Sequence, residues 1–171
     1  MEPISTVSDH DFFEDPIKEP KFYRLRATAK GIIFDQEGKV ALLTVRDHSL
    51  FPGGGVKKKE AIEHALVREC KEEIGCDVVV TLYIGDFVQY RFQTARKYVI
   101  SFFIAHVIGE KGLPTMTDST EREANVEWKA LEEVEEVLES QMARISKEEY
   151  ALHFNAKTHL EAFRYFLSLR K

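Results

Sequence analysis

Residues 52 to 76 read PGGGVKKKEAIEHALVRECKEEIGC, a glycine-rich turn followed by a segment with helical periodicity. The glycines let the backbone approach a ligand closely, and the last glycine of the stretch is typical of a helix C-terminus. The segment between them predicts one helix over residues 60 to 74. At about 100° per residue, Ile62, Leu66 and Cys70 form one apolar stripe, which we expect to face a core.

Three glutamates lie beside this apolar stripe rather than opposite it. Glu69 and Glu73 project about 20° to either side of Ile62, and Glu72 lies on the side of Glu69. Side chains three and four residues apart are neighbours, so the three carboxylates share one patch and repel each other. Arg68 reaches Glu72, but basic partners are too few for three acids. Two interpretations stay open: a solvated acidic face, or a site for an oxygen-preferring cation such as Mg²⁺ or Mn²⁺.

The rest of the chain divides into strands followed by helices. The predicted strands are 26–34 and 39–45, joined as a hairpin by a turn at 35–38, and then 77–84, 86–92, 97–107 and 126–129. The tail predicts a helix over residues 131–140 and helix caps at Ser146 and Thr158. This order of elements predicts an α/β fold, with helices packed on a mixed sheet.

The glycine turn and the acidic helix together resemble the Nudix box. That family pattern is G-x5-E-x7-R-E-U-x-E-E-x-G-U, where U is a bulky apolar residue. Here it begins at Gly54 and ends at Cys76, and all seven fixed residues match. The two U positions hold cysteines, which are apolar but smaller than usual. A weaker resemblance extends from about residue 26 to residue 140.

The resemblance implies a fold and a role for each residue of the box. The fold is the Nudix α/β/α sandwich, in which the box forms a loop, a helix and a loop against the sheet. The implied ligands of Mg²⁺, or of Mn²⁺, are the Gly53 carbonyl and the carboxylates of Glu69, Glu72 and Glu73. Glu60 and Arg68 would orient these carboxylates, as outer partners do in metal sites.

The implied reaction is hydrolysis of a pyrophosphate bond in a nucleoside diphosphate-linked compound. Divalent cations would neutralise charge on the phosphates and activate a water molecule for attack. The base that takes the proton is either a glutamate of the box or an acid in the loop before the last strand. In that loop Glu121 and Glu123 are the candidates, with Glu123 preferred, and exposed acids without a catalytic role are the alternative.

Several substrates and one different class of function stay open. The first expectation is a (deoxy)nucleoside triphosphate, ordinary or modified, cut to a nucleoside monophosphate. ADP-ribose, other nucleotide sugars and dinucleoside polyphosphates are alternatives. A nucleotide-sensing domain without turnover is another, although intact metal carboxylates argue against it. A structural metal-stabilised helix would not explain why Gly54, Glu60 and Arg68 occur together.

Basic and aromatic residues outside the acidic patch are candidates for substrate contacts. Arg91, Arg96 and Lys97 flank the predicted turn at 93–96, where they either meet phosphates or form a basic tip in solvent. The run Lys57-Lys-Lys59 has the same two interpretations, and a solvated run is preferred. The aromatic residues of the strands supply mostly core, with one or two available to stack on a base.

Composition limits the class of protein and its partners. With 171 residues and a net charge of −5, we expect one domain over residues 21–171, preceded by a flexible arm at 1–20. The chain has no basic surplus for a nucleic-acid polymer, no apolar run long enough for a membrane span, and no secretory signal. The expected compartment is the cytoplasm, the expected partner is a small nucleotide, and a homodimer is an open possibility. Cys70 and Cys76 are expected to be buried thiols.

Overall fold

A mixed sheet with helices on both faces organises the chain. The computed structural model describes residues 2–15, 17–115 and 124–170. The strands are β1 (Ser5–Ser8), β2 (Arg24–Phe34), β3 (Val40–Val45), β4 (His48–Leu50), β5 (Asp77–Arg91), β6 (Arg96–Ile108) and β7 (Asn125–Lys129). The helices are α1 (Ile62–Ile74), α2 (Leu131–Met142) and α3 (Tyr150–Leu169). In the part of the chain described, no helix is both long and apolar enough to cross a bilayer.

The strand order is β1-β5-β6-β2-β3-β4, and β7 pairs with β3. The pairs β1–β5 and β2–β6 are parallel, whereas the pairs β5–β6, β2–β3, β3–β4 and β3–β7 are antiparallel. The predicted hairpin and the predicted α/β class with a mixed sheet are therefore confirmed.

Adjacent residues of the central strands enter two different cores, because side chains of a strand alternate between its faces. On one face Ile32 and Phe102 pack with residues of α2 and α3. On the other face their neighbours Ile33 and Phe103 pack with Leu66 and other residues of α1. The two cores with the sheet between them form the three α/β/α layers.

Helix α1 is shorter than predicted at its start. It begins at Ile62 instead of residue 60, and Ile62 is 39% exposed, so its expected place in the core stripe is wrong. Ile62, Glu63 and His64 of the first turn are exposed, whereas Leu66 and Cys70 are fully buried as expected. Gly75 ends the helix with φ 69°, where an added Cβ would approach the Gly112 carbonyl oxygen to 2.5 Å.

Strand β5 is one long strand, although the sequence predicts two shorter runs. Its pairing with β6 shifts register between Val80 and Leu82 and again between Tyr83 and Gly85. Extra residues of this kind bend a strand and interrupt its alternation without ending it. The break in the sequence pattern therefore marks irregular pairing inside one strand.

The N-terminal segment differs from the flexible arm expected over residues 1–20. β1 pairs in parallel with β5 and buries Val7, and a short 3₁₀ turn at Asp9–Asp11 follows it. The carboxylate of Asp9, 1% exposed, accepts hydrogen bonds from the Phe92 N–H at 2.9 Å and from the Tyr150 hydroxyl at 2.7 Å. This segment therefore adds a strand to the edge of the sheet and is hydrogen-bonded to α3.

Helix α3 begins at Tyr150 with Glu149 as its N-cap, so the cap predicted at Ser146 lies one turn before the helix and the cap predicted at Thr158 is wrong. The Ser146 N–H donates to the Glu149 carboxylate at 2.9 Å, just before the helix starts. Thr158 lies inside the helix and is buried, where its hydroxyl accepts a 2.8 Å hydrogen bond from Gln89. A buried partner on β5 thus replaces the capping role that the local sequence indicates.

Candidate active site

The glycine turn lies directly against β2 and the acidic side of α1. The Ala29 N–H donates to the Gly54 carbonyl at 2.9 Å. Gly53 has φ 125°, and a Cβ there would overlap the Ala29 carbonyl oxygen. A Cβ on Gly54 would lie 2.6 Å from the Glu69 carboxyl group. Gly53 needs glycine because the backbone of β2 leaves no room for a Cβ, whereas a side chain at position 54 would displace the Glu69 carboxylate.

Two of the three predicted metal-binding carboxylates are nearly buried at this turn. Glu69 is 9% exposed and Glu73 is 7% exposed. The Gly53 N–H donates to the Glu73 carboxylate at 2.6 Å, whereas the Gly53 carbonyl accepts from the Lys30 ammonium group. Lys30 also donates to the Phe51 carbonyl at 3.1 Å. The Lys30 ammonium group therefore contacts the Gly53 carbonyl, the oxygen that the resemblance to the Nudix box implies as a metal ligand.

Arg68 joins the acids of the turn and of the helix. Its Nε and Nη2 donate to the two carboxylate oxygens of Glu60 at 2.8 and 3.1 Å. Its Nη1 donates to Glu69 at 2.7 Å and to Glu72 at 3.3 Å, and Nη2 also reaches the Gly55 carbonyl at 3.1 Å. The hydrogen bond from Arg68 lowers the pKa of Glu60 to about 2. One guanidinium therefore fixes the positions of three carboxylates.

A cavity of about 270 Å³ adjoins the glycine turn. Its walls come from β2, the turn, the end of β5, β6 and α3, and its charged and polar side chains are Arg26, Thr28, Lys30, Arg91, Tyr98, Asn155 and His159. The lining includes three basic side chains and no acidic one. This cavity is the concave surface next to the carboxylates where a substrate has room.

A family model described as the NUDIX domain matches residues 24–152. The chain belongs to the Nudix family. Nudix proteins of this kind hydrolyse the pyrophosphate bond of nucleoside diphosphate-linked compounds, and the chain is accordingly a pyrophosphohydrolase. No match to the chain is found among curated proteins.

Solved structures share the Nudix fold at low sequence identity. A MutT protein from Methanosarcina mazei Go1 is 18% identical, with a TM-score of 0.56 over 87% of this chain and 98% of that one. A NUDIX hydrolase from Nitrosomonas europaea is 16% identical, with a TM-score of 0.62 over 86% and 92%. The ORF135 protein of E. coli is 24% identical, with a TM-score of 0.55 over 86% and 92%. At these identities the likeness shows the fold.

The chemistry of the Nudix box residues fits a hard divalent cation. Carboxylate and carbonyl oxygens are the ligands that Mg²⁺ prefers. Lys30 binds the Gly53 carbonyl, so a positive charge is favourable there. Among the described residues no three acidic, imidazole or thiol side chains meet at one point, because Arg68 lies between Glu69 and the half-exposed Glu72. Binding through all three carboxylates therefore needs side-chain rotation.

The structure separates the predicted substrate-contact residues. Arg91 is 7% exposed and lines the cavity, so its placement at a solvent-exposed tip is wrong. Arg96 and Lys97 lie outside the cavity lining, and the lysines of 57–59 are exposed. Glu121 and Glu123, the candidate bases before the last strand, lie outside the described residues.

Five polar residues of the Nudix cavity escaped the sequence reasoning. They are Arg26, Thr28, Lys30, Asn155 and His159. Arg26, Thr28 and Lys30 carried a signal, because they are successive polar side chains on one face of β2. Asn155 and His159 carried no signal in the sequence, because only the packing of α3 on the sheet brings them to the cavity.

Proposed function

We propose that this chain cuts the pyrophosphate bond of nucleoside triphosphates at its Nudix box, with Mg²⁺ as the cation and Mn²⁺ as a substitute. The observation that carries the proposal is the pair of nearly buried carboxylates, Glu69 and Glu73, beside a glycine turn and a basic cavity. Burying carboxylates is costly unless cationic groups compensate them. A bound cation and the phosphates of a substrate complete the charges of this site.

The cation would be held by the Gly53 carbonyl and by the carboxylates of Glu69, Glu72 and Glu73. When bound, it supplies neutralisation of the phosphate charge and activation of a water molecule for attack on phosphorus. Arg68 holds Glu69 and Glu72 in place and is itself held by Glu60. Arg68 and Glu60 are therefore positioning residues in this proposal.

A base must take the proton of the attacking water. A box glutamate lies in reach of the glycine turn, since the Glu73 carboxylate bonds the Gly53 N–H. Glu123 is the second candidate, because the sequence puts it among the acids of the loop before the last strand. The Glu123→Gln variant distinguishes the two candidate bases. Loss of kcat with unchanged KM would assign the base to Glu123, whereas full activity would assign it to a glutamate of the box.

Triphosphates are preferred over the other compounds because three basic side chains line the cavity beside the box. ADP-ribose, other nucleotide sugars and dinucleoside polyphosphates are the alternative substrates. The single domain over residues 21–171, the cytoplasmic location, the homodimer and the absence of a nucleic-acid partner stay predictions from the sequence.

A substrate panel tests this function. The protein is incubated with Mg²⁺ and with nucleoside triphosphates, ADP-ribose, nucleotide sugars and dinucleoside polyphosphates, and phosphate is measured after coupling to a phosphatase. We expect turnover that stops in EDTA, fastest with a triphosphate and yielding the nucleoside monophosphate. Binding without turnover of any compound would refute the proposal and support the sensor alternative.

A further inference from the structure

Arg91 is a buried cation without an acidic partner at the wall of the cavity. Its Nε and Nη2 donate to the Gln89 side-chain oxygen at 2.9 and 2.6 Å, and Nη2 also donates to the Asn155 side-chain oxygen at 2.7 Å. The guanidinium lies 4.3 Å from the centre of the Tyr98 ring. Among the described residues, the hydrogen-bond partners of the Arg91 side chain are Gln89 and Asn155, and neither is acidic.

Other positive charges surround the same space. Arg26 and Lys30 also line the cavity, and no described residue forms a hydrogen bond or ion pair with the Arg26 side chain. Burial lowers the pKa of Arg91, and repulsion from Arg26 and Arg96 adds to this effect. An arginine nevertheless stays charged at neutral pH. Among the described residues, three basic side chains therefore line the cavity, and no acidic side chain does.

The polar groups around the cavity mostly donate hydrogen bonds. The Asn155 oxygen is bound to Arg91, which leaves the Asn155 amide nitrogen to donate. The His159 Nδ1 accepts from the Phe51 N–H at 2.9 Å, so a neutral His159 ring carries its proton on Nε2. The carbonyls of Gly53, Gly54 and Gly55 already accept from Lys30, Ala29 and Arg68. Only the hydroxyls of Thr28 and Tyr98 can act either way.

We propose that this cavity binds the terminal phosphate of a nucleoside triphosphate, so that the nucleoside lies outside it. A phosphate offers acceptor oxygens and negative charge, which match Arg91, Arg26 and the donors of Asn155 and His159. The edge of a nucleobase presents donors as well as acceptors, and it would leave the charge of Arg91 without a counter-charge. The inference rests on the proposed function and adds the orientation of the substrate.

This orientation has two consequences for specificity. The triphosphate is favoured over the corresponding diphosphate, because the diphosphate lacks the group that enters the cavity. The four ordinary bases are hydrolysed with similar kcat/KM, because none of them contacts the cavity wall.

Anion binding without metal tests the inference independently of hydrolysis. Inorganic tripolyphosphate is titrated into the protein in EDTA by calorimetry, where the box carboxylates repel anions and only the basic cavity attracts them. Arg91→Gln and Arg26→Gln should each weaken binding roughly 10- to 100-fold. Arg144→Gln, which removes the same charge from an exposed site elsewhere, should change it little. Arg26 is exposed, so its variant remains informative if Arg91→Gln fails to fold.

Kinetics with matched nucleotides complete the test. For triphosphates, Arg26→Gln and Arg91→Gln should raise KM more than they lower kcat, and the preference over diphosphates should shrink. No tripolyphosphate binding at millimolar concentration, or strong discrimination among bases that Arg91→Gln abolishes, would overturn the inference while leaving hydrolysis intact. Tripolyphosphate binding that depends on Arg26 and Arg91 in a protein without turnover would uphold the cavity site and refute only the proposed function.

Discussion

Single residues determine how the acids of the Nudix box are arranged. Arg68 contacts Glu60 through Nε and Nη2, and Glu69 and Glu72 through Nη1, all within one planar group. A lysine at position 68 would offer one ammonium group, which could not bind both oxygens of Glu60 and contact Glu69 and Glu72 at the same time. The geometry of the carboxylates thus depends on the shape of the guanidinium as well as its charge.

Replacing Arg68 by Lys tests this dependence. We expect kcat to fall by roughly 10- to 100-fold, the usual effect of losing an outer partner of a metal site, and the Mg²⁺ concentration for half-maximal rate to rise. Steady-state kinetics over a range of Mg²⁺ concentrations measures both. Lys71→Arg, on the exposed side of the same helix, is the control. Equal kinetics for wild type and Arg68→Lys would show that charge alone is sufficient.

His159 gives the fold a pH dependence near neutrality. Burial, and then the charge of Lys30, lowers the pKa of His159 well below 6.5. Below about pH 6.5, His159 is protonated in the unfolded chain but stays neutral in the folded protein. Stability therefore falls as pH drops, by up to about 1.4 kcal/mol per pH unit from this group.

Urea unfolding between about pH 7.5 and pH 5.5 checks this effect. The free energy of unfolding of the wild type should decrease across that range. His159→Gln, which keeps an acceptor near the Phe51 N–H, should start less stable and decrease less steeply. Parallel curves for the two proteins would show that His159 takes up its proton in the folded state.

Among the elements, the N-terminal strand illustrates what local sequence does not reveal. The four residues of β1 are too few to show a period, and they are ordered only because β5 offers a free edge. The box helix is the opposite case, since fixed spacing predicted its acids and its glycine stop, and the helical period predicted the burial of Leu66 and Cys70, although not the exposure of Ile62. Its first turn was placed wrongly because the sequence does not show where contact with the sheet begins.

Asp9 connects this N-terminal segment to the body of the protein. Asp9→Ala removes both hydrogen bonds to its carboxylate and leaves the Phe92 N–H without its acceptor. We expect a loss of about 3 kcal/mol in the free energy of unfolding. Asp15→Ala, at an exposed site of the same segment, should change stability by less than about 0.5 kcal/mol. Denaturant titration measures both variants, and equal small effects would mean that the segment adds nothing to the fold.

At the scale of the whole molecule, the site combines the Nudix box with residues from β2, the end of β5 and α3. The box supplies the acids, and its spacing made them predictable. The cavity takes Lys30 from β2, Arg91 from the end of β5, and Asn155 from α3. Such residues come together through sheet register and helix docking, which no local pattern encodes. The reaction was therefore predictable from the sequence, whereas the substrate-binding cavity required the structure.

The central claim is that the acidic patch of α1 binds the cation on which hydrolysis depends. The most direct measurement compares Glu73→Gln with Glu63→Gln, an exposed glutamate in the first turn of the same helix. For each variant, Mg²⁺-dependent turnover of a triphosphate and Mn²⁺ binding by electron paramagnetic resonance are recorded.

We predict that Glu73→Gln lowers kcat by roughly 100-fold or more and weakens Mn²⁺ binding, because a neutral amide replaces a charged ligand. Glu63→Gln should match the wild type in both measurements, and circular dichroism should show both variants folded. A folded Glu73→Gln protein with wild-type turnover and unchanged Mn²⁺ binding would contradict the account.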